Sequence, residues 1–288
     1  MAVSAPTVTG HAPDEGSSAT VIEPARGWNV PDAGELWRYR ELLFFLVWRD
    51  LKVRYKQTLL GVGWAVLQPV LTMVVFTLFF GKLAGVPSEG QPYALFSFAG
   101  LVPWTFFANG LTQSSNSVVA SQNLVSKIYF PRILLPTATV LSGVADLAIA
   151  MVVLFMMLVY YGVTPGFAVA WLVPLTMLAF VTALAVGLWL SALNVKYRDV
   201  RYVVPFLTQL WLFATPIAYP ASLVPEPWRS VYALNPMVGV VEGFRWALLG
   251  QRNAPGSVIA VSAVAAFVAL IGGVLYFQRT EVVFADVV

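Results

Sequence analysis

Almost nothing in this 288-residue sequence can do covalent chemistry. It contains no cysteine and a single histidine, His11, which excludes a disulfide framework, a thiolate nucleophile and a His/Cys metal site. No residue qualifies as catalytic, and no metal site is expected. A GxxxxGK[ST] phosphate loop is missing too, because Gly81-Lys82 has Phe76 where the first glycine would stand. ATP and Mg²⁺, if they are used, belong to a partner chain. What remains are charges in unusual surroundings. Asp146 is the one acid inside an apolar stretch, LSGVADLAIAMVV; it reads either as a functional group or as a hydrogen-bonded residue where helices pack. Glu242 and Arg245, three residues apart in a half-apolar segment, either pair near lipid or remain solvated.

Composition dictates the elements that must carry these groups. Hydrophobic residues make up 59% of the chain and charged residues 11%, against roughly 45–50% and about 25% in a soluble domain. So little charge cannot coat a water-facing surface, and the fold class expected is an all-α membrane protein. Net charge is only +3, which gives no ground for a nucleic-acid partner. Residues 1–34 mix Pro, Ser, Thr and Gly without apolar periodicity; they read as a disordered cytoplasmic leader, without the n- and h-regions of a signal peptide. Residues 35–56, ELWRYRELLFFLVWRDLKVRYK, predict an amphipathic interface helix. Leu36, Tyr39, Leu43, Phe44, Leu46, Val47 and Leu51 share one arc, and Arg38, Glu41, Arg49 and Lys52 the other, with Arg40 and Asp50 near the apolar arc. A soluble helix packed on its own domain is the alternative.

Six transmembrane helices are expected over 57–277, near Leu59 to Phe80, Tyr93 to Val118, Thr139 to Tyr161, Ala168 to Leu193, Tyr202 to Ala218 and Ser257 to Phe277. Residues 278–288 form a tail. Six crossings leave both termini on one side. Arg26, Arg38, Arg40, Arg49, Lys52, Arg54, Lys56, Lys127, Arg132, Lys196, Arg198, Arg201 and Arg279 fall there, and only Lys82, Arg229, Arg245 and Arg252 on the other. Both termini are therefore expected in the cytoplasm.

Two loops and the aromatic residues stand out. Between the second and third spans, about 121–132, Asn123 is placed to cap a short helix from Leu124 to Tyr129 that Pro131 ends. Such a helix, bearing Leu124, Ile128, Tyr129 and Phe130, seeks either a partner's groove or the lipid interface. The segment at about 219–250 is broken by Pro225, Pro227 and Pro236; two re-entrant helices between spans five and six, each too short to cross, account for it. Trp104, Phe106 and Phe107, with Trp211, Phe213, Tyr219, Trp228, Tyr232, Phe244 and Trp246, form either interface belts or a stacking path for sugar rings.

Taken together, Trp48-Arg49-Asp50-Leu51-Lys52-Val53-Arg54-Tyr55-Lys56, Leu60-Gly61-Val62-Gly63-Trp64, Gly100-Leu101-Val102-Pro103-Trp104, Lys127-Ile128-Tyr129-Phe130-Pro131-Arg132, Asn194-Val195-Lys196-Tyr197-Arg198-Asp199-Val200 and Asn235-Pro236-Met237 resemble permease subunits of polysaccharide and O-antigen ABC exporters, a branch of the type-2 ABC export permeases. The resemblance implies two copies of the chain docked on two ATP-binding subunits in a bacterial inner membrane, with no cofactor bound by the permease itself. It makes Asn123, Leu124, Lys127, Ile128, Tyr129, Phe130 and Arg132 the surface coupled to the ATPase. It further implies a polyprenyl-pyrophosphate-linked glycan as substrate, which Arg49, Lys52, Arg54 or Lys56 would meet through the pyrophosphate, while Trp64, Trp104, Phe106, Phe107, Trp211, Phe213 and Tyr219 would line the sugar path. An ion-coupled carrier working alone through Asp146, an ABC exporter of a small molecule and a membrane-embedded glycosyltransferase are the competing readings.

Overall fold

The computed structural model describes residues 33–56, 63–250 and 254–287. Nearly all of the expected leader, Leu59 to Val62 at the start of the first expected span, and Arg252 lie outside these residues. Every regular element among the described residues is helical. The chain begins with α1 (Ala33–Arg38) and α2 (Arg40–Lys56), separated by a turn at Tyr39. Next come α3 (Gly63–Phe76), which loosens into a π-helix over Thr77–Leu83, then α4 (Tyr93–Ala120), the short α5 (Gln122–Val125) and α6 (Leu134–Tyr160). A 3₁₀ turn at Phe167–Trp171 leads into α7 (Leu172–Lys196), followed by α8 (Val200–Phe213), α9 (Glu226–Tyr232), α10 (Pro236–Leu249) and α11 (Gly256–Val287).

Five segments have the length and apolarity to cross a bilayer: Gly63–Leu83, Tyr93–Ala120, Leu134–Tyr160, Phe167–Lys196 and Gly256–Glu281. The fifth expected span, Tyr202 to Ala218, departs from expectation. Its helix α8 has 14 residues, about 21 Å at 1.5 Å per residue, short of a hydrocarbon core of about 30 Å. The cause is Pro216, which pushes Thr215 out of helical geometry. There the chain makes a tight turn, with the Ile217 N–H donating to the Thr215 carbonyl at 2.7 Å. In α6 the helix starts at Leu134, earlier than Thr139, with Pro136 in the first turn, where its missing N–H costs no bond, and Thr137, Thr139 and Ser142 return their hydroxyls to the carbonyls of Ile133, Leu135 and Thr139 at 2.8–2.9 Å.

In the broken segment the two short helices expected from its prolines are α9 and α10. Asn235 caps α10 by accepting the Met237 N–H at 3.1 Å, Pro236 occupies its first position, and Gly250 closes it with φ +70°.

The central helix is α4, 78% of whose apolar window is buried, whereas that of α3 is 11% buried. Around the first half of α4, residues of α6, α7 and α10 form one core, containing Phe98, Leu101, Leu154, Leu175 and Phe244. A second core at the opposite end joins Leu46 of α2, Val125 of α5, Leu135 and Ala138 of α6, Leu188 of α7, and Phe277 and Phe284 of α11.

Helices α7 and α11 approach closely enough for backbone to meet backbone. A Cβ on Gly273 would sit 2.7 Å from the Ala185 carbonyl oxygen and 3.0 Å from the Trp189 ring. That ring stacks on Tyr276 at 4.9 Å and donates Nε1–H to the Ala269 carbonyl at 3.1 Å. Gly273→Ala is expected to cost about 1–3 kcal/mol by forcing the pair apart. Thermal unfolding in detergent should show a lowered Tm for it and an unchanged Tm for Gly166→Ala, which meets nothing within 4 Å.

Candidate functional site

The candidate site begins with α2, whose charges divide between two faces. Toward the protein, Leu46 is buried, and Leu36, Tyr39, Leu42, Leu43 and Val47 pack partly against the second core. Phe44, placed by periodicity on that same arc, is exposed instead, as are Phe45, Trp48 and Val53. Of the apolar arc read from sequence only Phe44 faces out, and Arg38, Glu41 and Lys52 of the polar arc are exposed, but Phe45, Trp48 and Val53 give the outer side apolar surface as well. Asp50, the charge stranded on the apolar arc, faces inward with partners: Arg49 Nη2 and Nε donate to Oδ1 at 2.9 and 3.0 Å, and Thr139 Oγ1 donates to Oδ2 at 3.3 Å.

The four cations assigned to the carrier do not stay together. Arg49, Lys52 and Lys56 line an outward surface hollow of about 360 Å³ with Phe45, Trp48 and Val53. There Lys52 Nζ lies 5.3 Å from the centre of the Trp48 ring, a cation–π contact that holds the ammonium over apolar surface. Arg54 turns the other way. It donates to Asp146 Oδ2, to Gln113 Oε1 at 2.6 Å and to Ser142 Oγ at 3.3 Å, and Tyr55 donates its hydroxyl to Asp146 Oδ1. Burial, then the bond to Asp146, pushes the Tyr55 phenol up to about 12, so it remains a donor at physiological pH. Asp146 therefore has two partners, and the carboxylate that an ion-coupled carrier would load is already committed. Arg54, Tyr55 and Asp146 close one side of a chamber of about 370 Å³ that also takes in Trp64, Thr105 and Phe106.

The loop expected to meet an ATPase is shorter as a helix than the sequence suggests. Ser121, not Asn123, occupies the capping position, its side chain makes no capping bond, and the helix ends at Val125. Asn123, Lys127, Ile128 and Tyr129 are exposed, Leu124 is half-buried and Phe130 is buried. Arg132 is an anchor: its backbone N–H donates to Glu281 Oε1 at 2.9 Å, its guanidinium donates to the Glu281 carbonyl, and it lies 5.9 Å from the Phe284 ring centre. Phe130 and Arg132 thus fasten the loop to the end of α11 and leave Ile128 and Tyr129 facing out. Partial burial, followed by the charges of Glu35 and Glu281, raises the Tyr129 phenol.

The aromatic set separates as well. Trp104 and Phe107 are buried and touch at 5.3 Å between ring centres; Phe107 meets Trp211 edge-on at 5.0 Å. They belong to the core of this chain. Trp64 and Phe213 are exposed, and Phe106, although buried, borders the chamber. Trp211 donates Nε1–H to Asn235 Oδ1 at 2.9 Å, and the Tyr219 hydroxyl donates to the Phe213 carbonyl at 2.8 Å while lying 2.9 Å from the Tyr232 hydroxyl. An apolar cavity of about 620 Å³ opens beside Trp211, Trp228 and Tyr232, between α7, α8 and α11.

Glu242 and Arg245 do pair, Arg245 Nη1 donating to Glu242 Oε1 at 3.2 Å. Arg245 is completely buried. It also donates to the carbonyls of Ile217 at 2.7 Å, Phe96 at 3.3 Å and Tyr219 at 3.4 Å, with its guanidinium 3.6 Å from the Phe96 ring centre.

Sequence reasoning missed Tyr55, Gln113, Thr139 and Ser142. The available signal was the i, i+4 spacing of Asp50 and Arg54 with buried Leu46, since charges repeating on a helix's inward side demand partners.

The chain matches the family model described as ABC-2 type transporter over residues 41–249. It is 31% identical over 251 residues to an O-antigen export system permease protein of Myxococcus xanthus, covering 86% of this chain and 95% of that one. A permease protein of the same description from Klebsiella pneumoniae is 30% identical over 206 residues, 71% of this chain and 79% of its own. A polysialic acid transport protein of Escherichia coli is 24% identical over 237 residues, covering 81% and 91%.

Removing Arg245 strands both a buried carboxylate and three carbonyls, whereas neutralising Glu242 leaves the carbonyl bonds in place. Arg245→Met should therefore cost about 3–5 kcal/mol and Glu242→Gln about 1–2 kcal/mol, compared as Tm losses in detergent.

Proposed function

This chain belongs to the ABC-2 type transporter family, and from that premise we propose that it is the permease subunit of an ATP-driven exporter that moves a polyprenyl-pyrophosphate-linked polysaccharide across the bacterial inner membrane. The observation that supports this most is the alignment with the Myxococcus O-antigen export permease, which takes in 95% of that protein. In this reading two copies of the chain assemble with two ATP-binding subunits, and both termini lie in the cytoplasm. The sixth crossing is then made by α8 together with the buried turn through Ala218, while α9 and α10 dip into the outer leaflet without crossing.

The chemistry of the chain is positional. Lys52 and Lys56 on the outer side of α2, with Arg49 beside them and paired to Asp50, meet the pyrophosphate at the inner leaflet, where clustered cations favour a multiply charged headgroup. Trp48 and Phe45 beside them suit the start of the lipid tail. ATP binding closes the partner subunits, and the motion enters through Ile128 and Tyr129, held in place by Phe130 and Arg132. Exposed rings such as Trp64 slide along sugar faces without fixing them, as a moving polymer requires. The partner binds ATP and Mg²⁺, and no bond is made or broken in the permease.

Cells lacking the gene should accumulate lipid-linked glycan inside, and its absence would rule out this substrate class. Ile128→Asp combined with Tyr129→Asp is expected to reduce co-purification of the ATP-binding subunit by at least about tenfold, since a hot-spot pair costs about 2 kcal/mol or more. Full retention of the partner would remove the loop from the interface.

A further inference from the structure

Asp146 is the residue whose purpose the transport reading leaves open. It lies on α6 twelve residues beyond Leu134, about 18 Å along the helix axis. Its helix starts two residues after Arg132, so α6 continues directly from the loop that displays Ile128 and Tyr129.

The same helix grips α2 at two levels. Thr139 holds Asp50, and farther along Ser142 and Asp146 hold Arg54 and Tyr55. Partners that advance together on both helices mean that α2 and α6 run side by side in the same direction over this stretch, and α2 makes its main packing contact with α6. Gln113 adds a tie from Arg54 to α4. The side chains of Arg54 and Asp146 are only 20% and 18% exposed, so water and salt screen the pair weakly. Among the described residues Arg54 and Tyr55 are the titratable groups that bond Asp146. Meanwhile Arg49, Lys52 and Lys56, within one or two turns of Arg54, remain on the open side of the helix.

We infer that Asp146 is a positioning residue for transport: through Arg54 and Tyr55 it clamps the cation-bearing helix α2 to α6, so that movement of the ATPase-facing loop reaches the helix that holds the anionic headgroup. The inference rests on the permease reading above for what is moved, but the clamp itself is a property of this chain. Spans alone would transmit the stroke to the walls of a path. The clamp delivers it to the headgroup as well.

The test uses the full complex of permease and ATP-binding subunit in proteoliposomes. With Asp146→Asn the complex should assemble and hydrolyse ATP, while glycan exported per ATP falls about fivefold or more, the span of ordinary coupling energies. Exchanging the charges, Arg54→Asp with Asp146→Arg, should restore most of that ratio, which a role in packing alone would not produce. Because the chain has no cysteine, spin labels can be placed at exposed Val53 and Val152, one on each helix. A narrow distance distribution in the parent protein should broaden in Asp146→Asn. An unchanged ratio, an exchange variant that assembles no better coupled than Asp146→Asn, or an unchanged distribution would each overturn the clamp. If neither charge variant assembles, Tyr55→Phe decides by the same label distance: broadening supports the clamp and an unchanged distribution overturns it. Should the parent complex move no lipid-linked glycan, the substrate reading fails, and the label distances, which need no substrate, still decide the clamp.

Discussion

A guanidinium placed among apolar helices costs several kcal/mol unless its N–H groups find acceptors. Arg245 finds them on three different segments of one half of the fold. Its acceptors are the Glu242 carboxylate one turn earlier on α10, the Phe96 carbonyl on α4, and the Ile217 and Tyr219 carbonyls just after α8. The last two are available because Pro216 ends the helix there, and a carbonyl released from a helix in the membrane needs a donor as much as the arginine needs an acceptor. Broken helix and buried cation thus satisfy each other. Gly100 completes the arrangement, since a Cβ there would come within 3.0 Å of Arg245 Nη2.

The same rule governs the other half. Arg54 and Asp146 pair across α2 and α6 while keeping about a fifth of each side chain exposed. Both pairs are largely shielded from solvent, so each ties helices together, the Arg245 pair α10 to α4 and the Arg54 pair α2 to α6. Residues of α10 pack deep against α4 and α7, whereas α2 contributes a single fully buried side chain, Leu46.

Helix composition and apolar length made most of the fold legible in the sequence. They located the four long helices α4, α6, α7 and α11, and the prolines at 225, 227 and 236 announced the two short helices near α9 and α10. The misplaced features share one cause, which is that periodicity reports what a side chain is and not what it meets. Phe44 counts as apolar and was placed inward, yet Leu42 packs there and Phe44 faces out. Arg54 counts as a cation and was grouped with Lys52, yet a carboxylate 92 residues away turns it inward. The helix through Tyr202 to Ala218 was hydrophobic enough to span, and one Thr-Pro step shortened it.

Commitment of charges also bears on where energy enters. A carrier that harvests an ion gradient needs a carboxylate free to change partners, and Asp146 already holds a guanidinium and a phenol. Glu242 is likewise occupied by Arg245. Groups so engaged tie together the helices that carry them, α2 to α6 through Asp146 and α10 to α4 through Arg245. The loop from Ser121 to Arg132 has the opposite character, with Ile128 and Tyr129 presented outward on a base that Arg132 and Phe130 hold against α11. The loop is continuous with α4 and α6 and is tied to α11 through Arg132, so these three helices meet at its base.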